Sequence, residues 1–348
     1  MAFTKYLLLL FPLLSFSQTE LQTKQALNKV RYLSPDGKVT YYQKSSGELQ
    51  ISTNYNFATI LKLSKDTQFY VTVSDELKQI AIEADSSFFS AMNLQRNRHI
   101  YTAPFGKKDQ AKKIGEGLNP QLHLKDQWAS YFNIKSQKIE LVHLNSKKEK
   151  LKRRIKLNKH HNQYFIPLVY MLTANDVIFT DINKHGISAV LIYSFIDKKF
   201  STIYKAQSPG TKLEICNIGS NLYIGEFPHS GVIASSQITQ VDLYSDNYKN
   251  VKTLYSSENF DLGNMLCEKD NIYFIKTTKF NKTLQKRNTE VAQLDLNSKK
   301  VTLKTKLDSV TQLLRVGNMI LTTSKGKYYI VTGKNINISD QLSREKKK

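Results

Sequence analysis

A motif that returns every 40 to 50 residues narrows the possible folds more than any other feature of this chain. Two polar or turn-forming residues precede an alternating or apolar run of four to six. The copies read GK-VTYY from Val39, KQ-IAIEA from Ile80, DQ-WASYF from Trp128 and ND-VIFTD from Val177. They continue as SN-LYIGE from Leu222, DN-IYFIK from Ile272 and GN-MILTT from Met319. The spacings are 41, 48, 49, 45, 50 and 47 residues, with a mean of 46.7. A period of this size marks a repeat architecture, whose unit cannot bury its apolar face alone and stacks on its neighbours. Seven units of 46.7 residues need 327, against 331 in the chain once a leader of 17 is set aside.

The remainder of each period reads as further strands joined by hairpin turns. LNSKK occurs twice, at 144–148 and 296–300, while IDKK at 196–199 and SDNYKN at 245–250 hold the corresponding place. Each is a polar turn between an apolar strand and another strand, such as VTLKTKL from Val301. Four short strands every 40–50 residues match a β-propeller blade. Composition agrees: 19 Tyr and 17 Phe stand against only 14 Gly and 7 Pro, and aromatic and β-branched residues favour strands. One short helix is expected, over Glu20 to Val30. The expected fold is all-β, a propeller of seven four-stranded blades, because stacking small sheets around an axis covers their faces and leaves only outer edges open. The last unit offers MILTT, KYYIVTG and INIS, so the N-terminal segment Lys29 to Leu33 is expected to supply its fourth strand and close the ring. TQ-FYVTVS, from Phe69, lies 11 residues before Ile80 and reads as the outermost strand of the first blade. If it opens a blade instead, the count becomes six or eight.

LSPDGKVTYY, Leu33 to Tyr42, resembles the repeat signature of the TolB-type (WD40-like) β-propeller family, in which an apolar residue, SPDG and an apolar strand open each blade. The other six units keep the strand but not the proline. The resemblance implies a propeller fold and often an envelope location. It implies no activity, since such blades bind partners and also cap unrelated enzymes.

The first residues, MAFTKYLLLLFPLLSFSQTE, have the form of a signal peptide. Lys5 gives a positive start, Tyr6 to Phe16 is apolar, and Ser15 and Ser17 supply the small residues before a cut at Gln18. Eleven residues cannot cross a bilayer core that needs about 20. The expected organisation is a signal peptide at 1–17, one propeller domain at 18–340 and a basic tail at 341–348, with export to the periplasm or beyond. Lys5 is the only charge lost with the leader, so the net charge of +22 becomes +21. Cys216 and Cys267 are too few for a disulfide framework, so packing must supply the core. They lie 51 residues apart at near-equivalent places in neighbouring units. There a cysteine packs as a small hydrophobe, or bridges if the Cα atoms lie within about 7 Å.

Positive charge is densest in KKEKLKRRIKLNK, residues 147–159, with Lys147, Lys148, Lys150, Lys152, Arg153, Arg154, Lys156 and Lys159 against Glu149. On a hairpin near the rim of the third blade these side chains either protect an open strand edge or form a patch for a polyanion such as anionic lipid or surface polysaccharide. Export disfavours nucleic acid, and no recognised nucleic-acid motif accompanies the charge. FGKKDQAKKIGEGLNP, residues 105–120, surrounds Lys107, Lys108, Lys112 and Lys113 with Gly106, Gly115 and Gly117. It lacks the order of a phosphate loop and reads as a solvated insertion.

His160 and His161 are adjacent, so their rings point to opposite faces of a strand, and no third metal ligand stands at a suitable spacing. In EFPHSGVIASS, His229 beside Ser230 is adjacency rather than a catalytic arrangement. No G-x-S-x-G elbow is present, and the short stretch after the last strand leaves no room for a hydrolase domain. No cofactor, metal or catalytic residue is expected. Three functions remain: an exported non-catalytic scaffold for an envelope protein partner, a polyanion-binding envelope protein, or an unrecognised propeller hydrolase.

Overall fold

The computed structural model describes residues 30–332 outside the segments 35–37, 45–46, 54–55, 65–66, 75–77, 86–97, 124–126, 145–151, 158–159, 163–164, 173–174, 229–234, 246–247, 249, 259–260, 282–285, 306, 308, 317–318 and 325–326. The leader, the tail, INIS and His229-Ser230 lie outside the described residues. So does the helix expected over Glu20 to Val30, except that Val30 itself is in a strand.

The first sheet is β1 (Val30–Leu33), β2 (Val39–Lys44), β3 (Glu48–Thr53) and β4 (Asn56–Lys62). Seven strands follow in a second sheet: β5 (Gln68–Ser74), β6 (Gln79–Asp85), β7 (Arg98–Pro104), β8 (Lys112–His123), β9 (Trp128–Asn133), β10 (Lys138–His143) and β11 (Lys152–Lys156). Three four-stranded sheets come next. They comprise β12 (Val169–Leu172), β13 (Asp176–Ile182), β14 (Ser188–Ser194) and β15 (Lys199–Lys205); then β16 (Lys212–Ile218), β17 (Asn221–Phe227), β18 (Ser236–Asp242) and β19 (Val251–Ser257). The third holds β20 (Gly263–Glu268), β21 (Asn271–Asn281), β22 (Lys286–Asp295) and β23 (Val301–Leu303). Three strands end the described chain: β24 (Val310–Val316), β25 (Met319–Ser324) and β26 (Lys327–Thr332). Neighbours within every sheet are consecutive in sequence.

The seven motif copies all open the second strand of an array: β2, β6, β9, β13, β17, β21 and β25. Among the described residues, the polar residues before the copies lie in the turn between first and second strands or open the second strand itself, as Gln79, Asp176, Asn221 and Asn271 do. Lys78, Gln127, Gly219 and Lys269 take positive φ there, at 51°, 55°, 58° and 52°, so the reversal needs a left-handed residue without demanding glycine each time. β6, β13 and β17 are buried on both faces, whereas the fourth strands β15 and β19 are mostly exposed. Burial falls from the second strand outward because both faces of each array are covered by its neighbours.

The cores lie between arrays. Ile51 and Ile60 pack with Phe69, Ile80 and Ile82, and Ile100 and Ile114 with Ala129 and Tyr131. Phe132, Ile139 and Ile155 meet Val177 and Phe179, while Ile178 and Val190 meet Leu222 and Ile224. The same holds for Tyr223 and Ile238 with Phe274 and for Ile275 and Val291 with Leu313 and Ile320. Full burial of such a side chain is worth about 1.5–3 kcal/mol, so each array is stable only against its neighbour. The alternation within β13, Val177 and Phe179 one way and Ile178 the other, puts the strand's two faces into two different cores.

Several expectations change. Val30–Leu33 does not complete the last sheet: it pairs antiparallel with β2, with Leu33 opposite Thr40, because the turn after it folds it back at once. Ser34 N–H donates to the Val39 carbonyl at 2.8 Å and Ser34 Oγ accepts from Val39 N–H at 2.9 Å. Phe69 lies in β5, which pairs with β6 and opens the second array rather than closing the first. The change of count expected in that case does not follow, because β1 to β4 already fill the first array. The solvated insertion at 105–120 is instead largely the strand β8. Its residues 112–117 pair with β7 and 118–123 with β9, so one strand ends one array and begins the next without a loop. Its glycines serve packing. A Cβ on Gly115 would stand 2.0 Å from the Tyr131 hydroxyl, and one on Gly117 2.5 Å from the Phe132 carbonyl oxygen.

Side chains also lock adjacent arrays. Ser188 Oγ donates to the Thr211 carbonyl at 2.6 Å, Ser236 Oγ accepts from Asp261 N–H at 2.9 Å, and Thr289 Oγ1 donates to the Val310 carbonyl at 2.7 Å. In each case a hydroxyl on a third strand holds the chain at or just before the next array's first strand. Cys216 on β16 and Cys267 on β20 are bridged, with Cα atoms 5.8 Å apart. The pair left open by sequence thus joins two first strands covalently.

Candidate functional site

The structure forms a pocket of about 290 Å³ where β8 passes from one array to the next. Asn119 stands at the bend with φ 52°, and Pro120 follows, where the pairing register with β9 shifts. A bend of this kind exposes backbone groups, and the pocket wall satisfies them. Asn119 N–H donates to Glu83 Oε2 at 2.7 Å, and Thr72 Oγ1 donates to the Pro120 carbonyl at 3.1 Å. Arg98 donates through one terminal nitrogen to Glu83 and through Nε to Asp85 at 3.0 Å. Its guanidinium lies 5.5 Å from the centre of the Tyr70 ring, whose residue is 54% exposed. Gln121 completes the lining. Sequence reading missed this site because its residues come from four strands, and only Asn119-Pro120 gives a local sign of a bend.

The basic segment divides. Lys147, Lys148, Lys150 and Lys159 lie outside the described residues. Lys152, Arg154 and Lys156 are exposed on β11, the open edge of its sheet, in register with Val142, Glu140 and Lys138. Arg154 donates to Glu140 at 3.0 Å. Arg153 faces the other way, its guanidinium 5.2 Å from the Trp128 ring and 4.8 Å from Phe195. Strand alternation therefore takes one cation out of the eight-residue cluster and uses it to join two arrays.

Two histidine pairs have the composition of catalytic dyads. His123 Nε2 and Ser130 Oγ share a 2.7 Å hydrogen bond, but both residues are buried, and burial pulls the His123 pKa down to about 4. The neutral ring is a packing group. His161 Nδ1 bonds Asp181 Oδ1 with both side chains nearly inaccessible, and its ring sits edge-on to Phe132 and Phe165. His160 is exposed. Although the rings part as expected, His161 makes only an isolated bridge to Asn183, not a continuous strand. Among the described residues no His, Cys, Asp and Glu cluster is able to hold a metal, and no helix is long and apolar enough to cross a membrane.

Known structures share this arrangement. The crystal structure of the tricorn protease superimposes with a TM-score of 0.56 at 13% identity, over 87% of this chain and 33% of that one. A prolyl endopeptidase structure gives 0.57 at 11% identity, over 87% of this chain and 49% of that one. The chain has a propeller-type fold. The WD40 domain of SCAP from fission yeast aligns at 9% identity with a TM-score of 0.48, covering 87% of this chain and 84% of that domain. The chain spans about a third of the tricorn protease and half of the prolyl endopeptidase. No protein-family model matches the sequence, and no curated protein matches it.

Proposed function

We propose that the chain is an exported, non-catalytic propeller of seven blades, closed into a ring, that serves as a binding scaffold in the cell envelope. The observation that carries this reading is where the reactive side chains lie. Among the described residues the His123–Ser130 and His161–Asp181 pairs are sealed inside the fold, while Lys152, Arg154 and Lys156 and the Tyr70 ring face outward. The ring is supported by contacts between first strands in chain order, β1 with β5, β5 with β8, β8 with β12, β12 with β16, β16 with β20 and β20 with β24. The leader-like N-terminus and the Cys216–Cys267 bridge support export, since such bridges persist in oxidising compartments. The SPDG copy at Leu33 to Tyr42 supports descent from a TolB-like ancestor. At 11–13% identity, the peptidase activity in the neighbours' names does not carry over.

A second reading is favoured by β11, whose Lys152, Arg154 and Lys156 form one exposed row on an open edge. In this reading the row binds an anionic polymer or lipid surface, with salt-dependent affinity. Gentle extraction tests the scaffold: a stable protein partner should co-purify, and a clean monomer counts against it. Elution from heparin resin tests the row. Replacing Lys152, Arg154 and Lys156 by serine should move elution to lower salt and lower the melting temperature only through the lost Arg154–Glu140 pair. Lys152→Ser with Lys156→Ser should move elution and leave the melting temperature unchanged. Arg153→Ser should instead lower the melting temperature with little effect on elution. Unchanged elution of the triple variant removes the row from consideration.

A further inference from the structure

We propose that the pocket at the bend of β8 binds one ring of a neutral saccharide. The charges on its wall first restrict the ligand. Arg98 donates to both Glu83 and Asp85, so its charge is already answered, and the two charged side chains that line the pocket, Glu83 and Arg98, sum to zero. An anion meets no net positive charge and a guanidinium already engaged by two carboxylates. A cation seeking the Tyr70 ring finds Arg98 placed over it. A neutral polar ligand meets neither obstacle.

The groups left for a ligand match hydroxyls. Among the described residues the side-chain amides of Asn119 and Gln121 and the Tyr70 hydroxyl make no hydrogen bond, and all three residues line the pocket. A carboxamide presents a donor and an acceptor side by side, as do two neighbouring hydroxyls on a sugar ring. The half-exposed Tyr70 ring and Pro120 supply apolar surface for the ring's C–H face. Rigidity favours binding too, because Glu83 and Thr72 fix the bend's backbone and little order has to be imposed on a ligand's arrival. A volume of about 290 Å³ stands at the small end of the roughly 300–1,000 Å³ usual for ligand pockets, which suits one ring rather than a chain. This inference is independent of the basic row on β11, which shares no residue with the pocket.

Saturation-transfer NMR and calorimetry on the purified full chain test the site with methyl β-glucoside, methyl β-galactoside and N-acetylglucosamine, and with spermidine and inorganic phosphate as charged alternatives. At least one sugar should bind with a Kd of about 1 mM. Gln121→Ala and Tyr70→Ala should each weaken it about tenfold while the melting temperature stays unchanged in Gln121→Ala, whose side chain holds no other element. The proposal is overturned if none of the three sugars binds, or if both variants bind as the parent does. It is also overturned if spermidine or phosphate, and no sugar, binds in a way that depends on Gln121.

Discussion

His123 shows how far a residue's chemistry is set by its place on a ladder. It stands opposite Trp128 at the end of the β8–β9 pairing, and loss of water around its ring lowers its pKa to about 4. In the unfolded chain the same ring titrates near 6.5. Between those values the unfolded chain binds more protons, so stability is complete above about pH 6.5 and is lost as pH falls toward about 4. The contribution is about 2–3 kcal/mol. Urea unfolding at pH 7 and pH 4.5 should show a loss of that order in the parent, and His123→Gln should largely abolish this component. A slope that persists in the variant places the acid sensitivity at another group. Gly115 and Gly117 make the same point for packing. Beside four lysines they look like a flexible loop, and only the approach of Tyr131 and the Phe132 backbone across the strand explains them.

Among elements, β8 and the paired first strands β16 and β20 decide how neighbouring arrays join. A loopless passage between arrays leaves no turn residues to read, which is why the sequence suggested an insertion there. The bridge between β16 and β20 encloses 51 residues, and closing a loop of that length in the unfolded chain is worth about 4 kcal/mol in the chain-entropy account. The Cys216→Ser, Cys267→Ser double variant should therefore unfold at clearly lower urea. A reductant should do the same to the parent and leave the variant unaffected. Equal urea midpoints for parent and variant, or no response to reductant, contradict a stabilising bridge. β1 teaches a related lesson: Leu33 was legible as a strand residue, but its partner was not. Both an adjacent hairpin and a distant closing strand fit the same alternation.

For the whole molecule, the seven anchors sit at equivalent positions and each apolar cluster joins consecutive arrays. A closed ring of a chain this long should be as compact as a globular protein of its length, with a radius of gyration of about 20 Å. Small-angle scattering measures this directly. A clearly larger radius from a monodisperse monomer indicates an open arc and removes the closure proposed above.

The sequence alone determined the all-β character, the 47-residue unit and the second strand of every unit, because a buried strand with a polar turn before it is written in contiguous residues. It also located the hairpin turns at 196–199 and 296–300. Only the tertiary structure decided the partner of β1, the double role of β8, the cysteine bridge, the inward turn of Arg153 and the pocket at Asn119. Each depends on which strands lie beside one another across an array boundary. That placement is fixed by side chains tens of residues apart meeting in a shared core, and no local pattern encodes it.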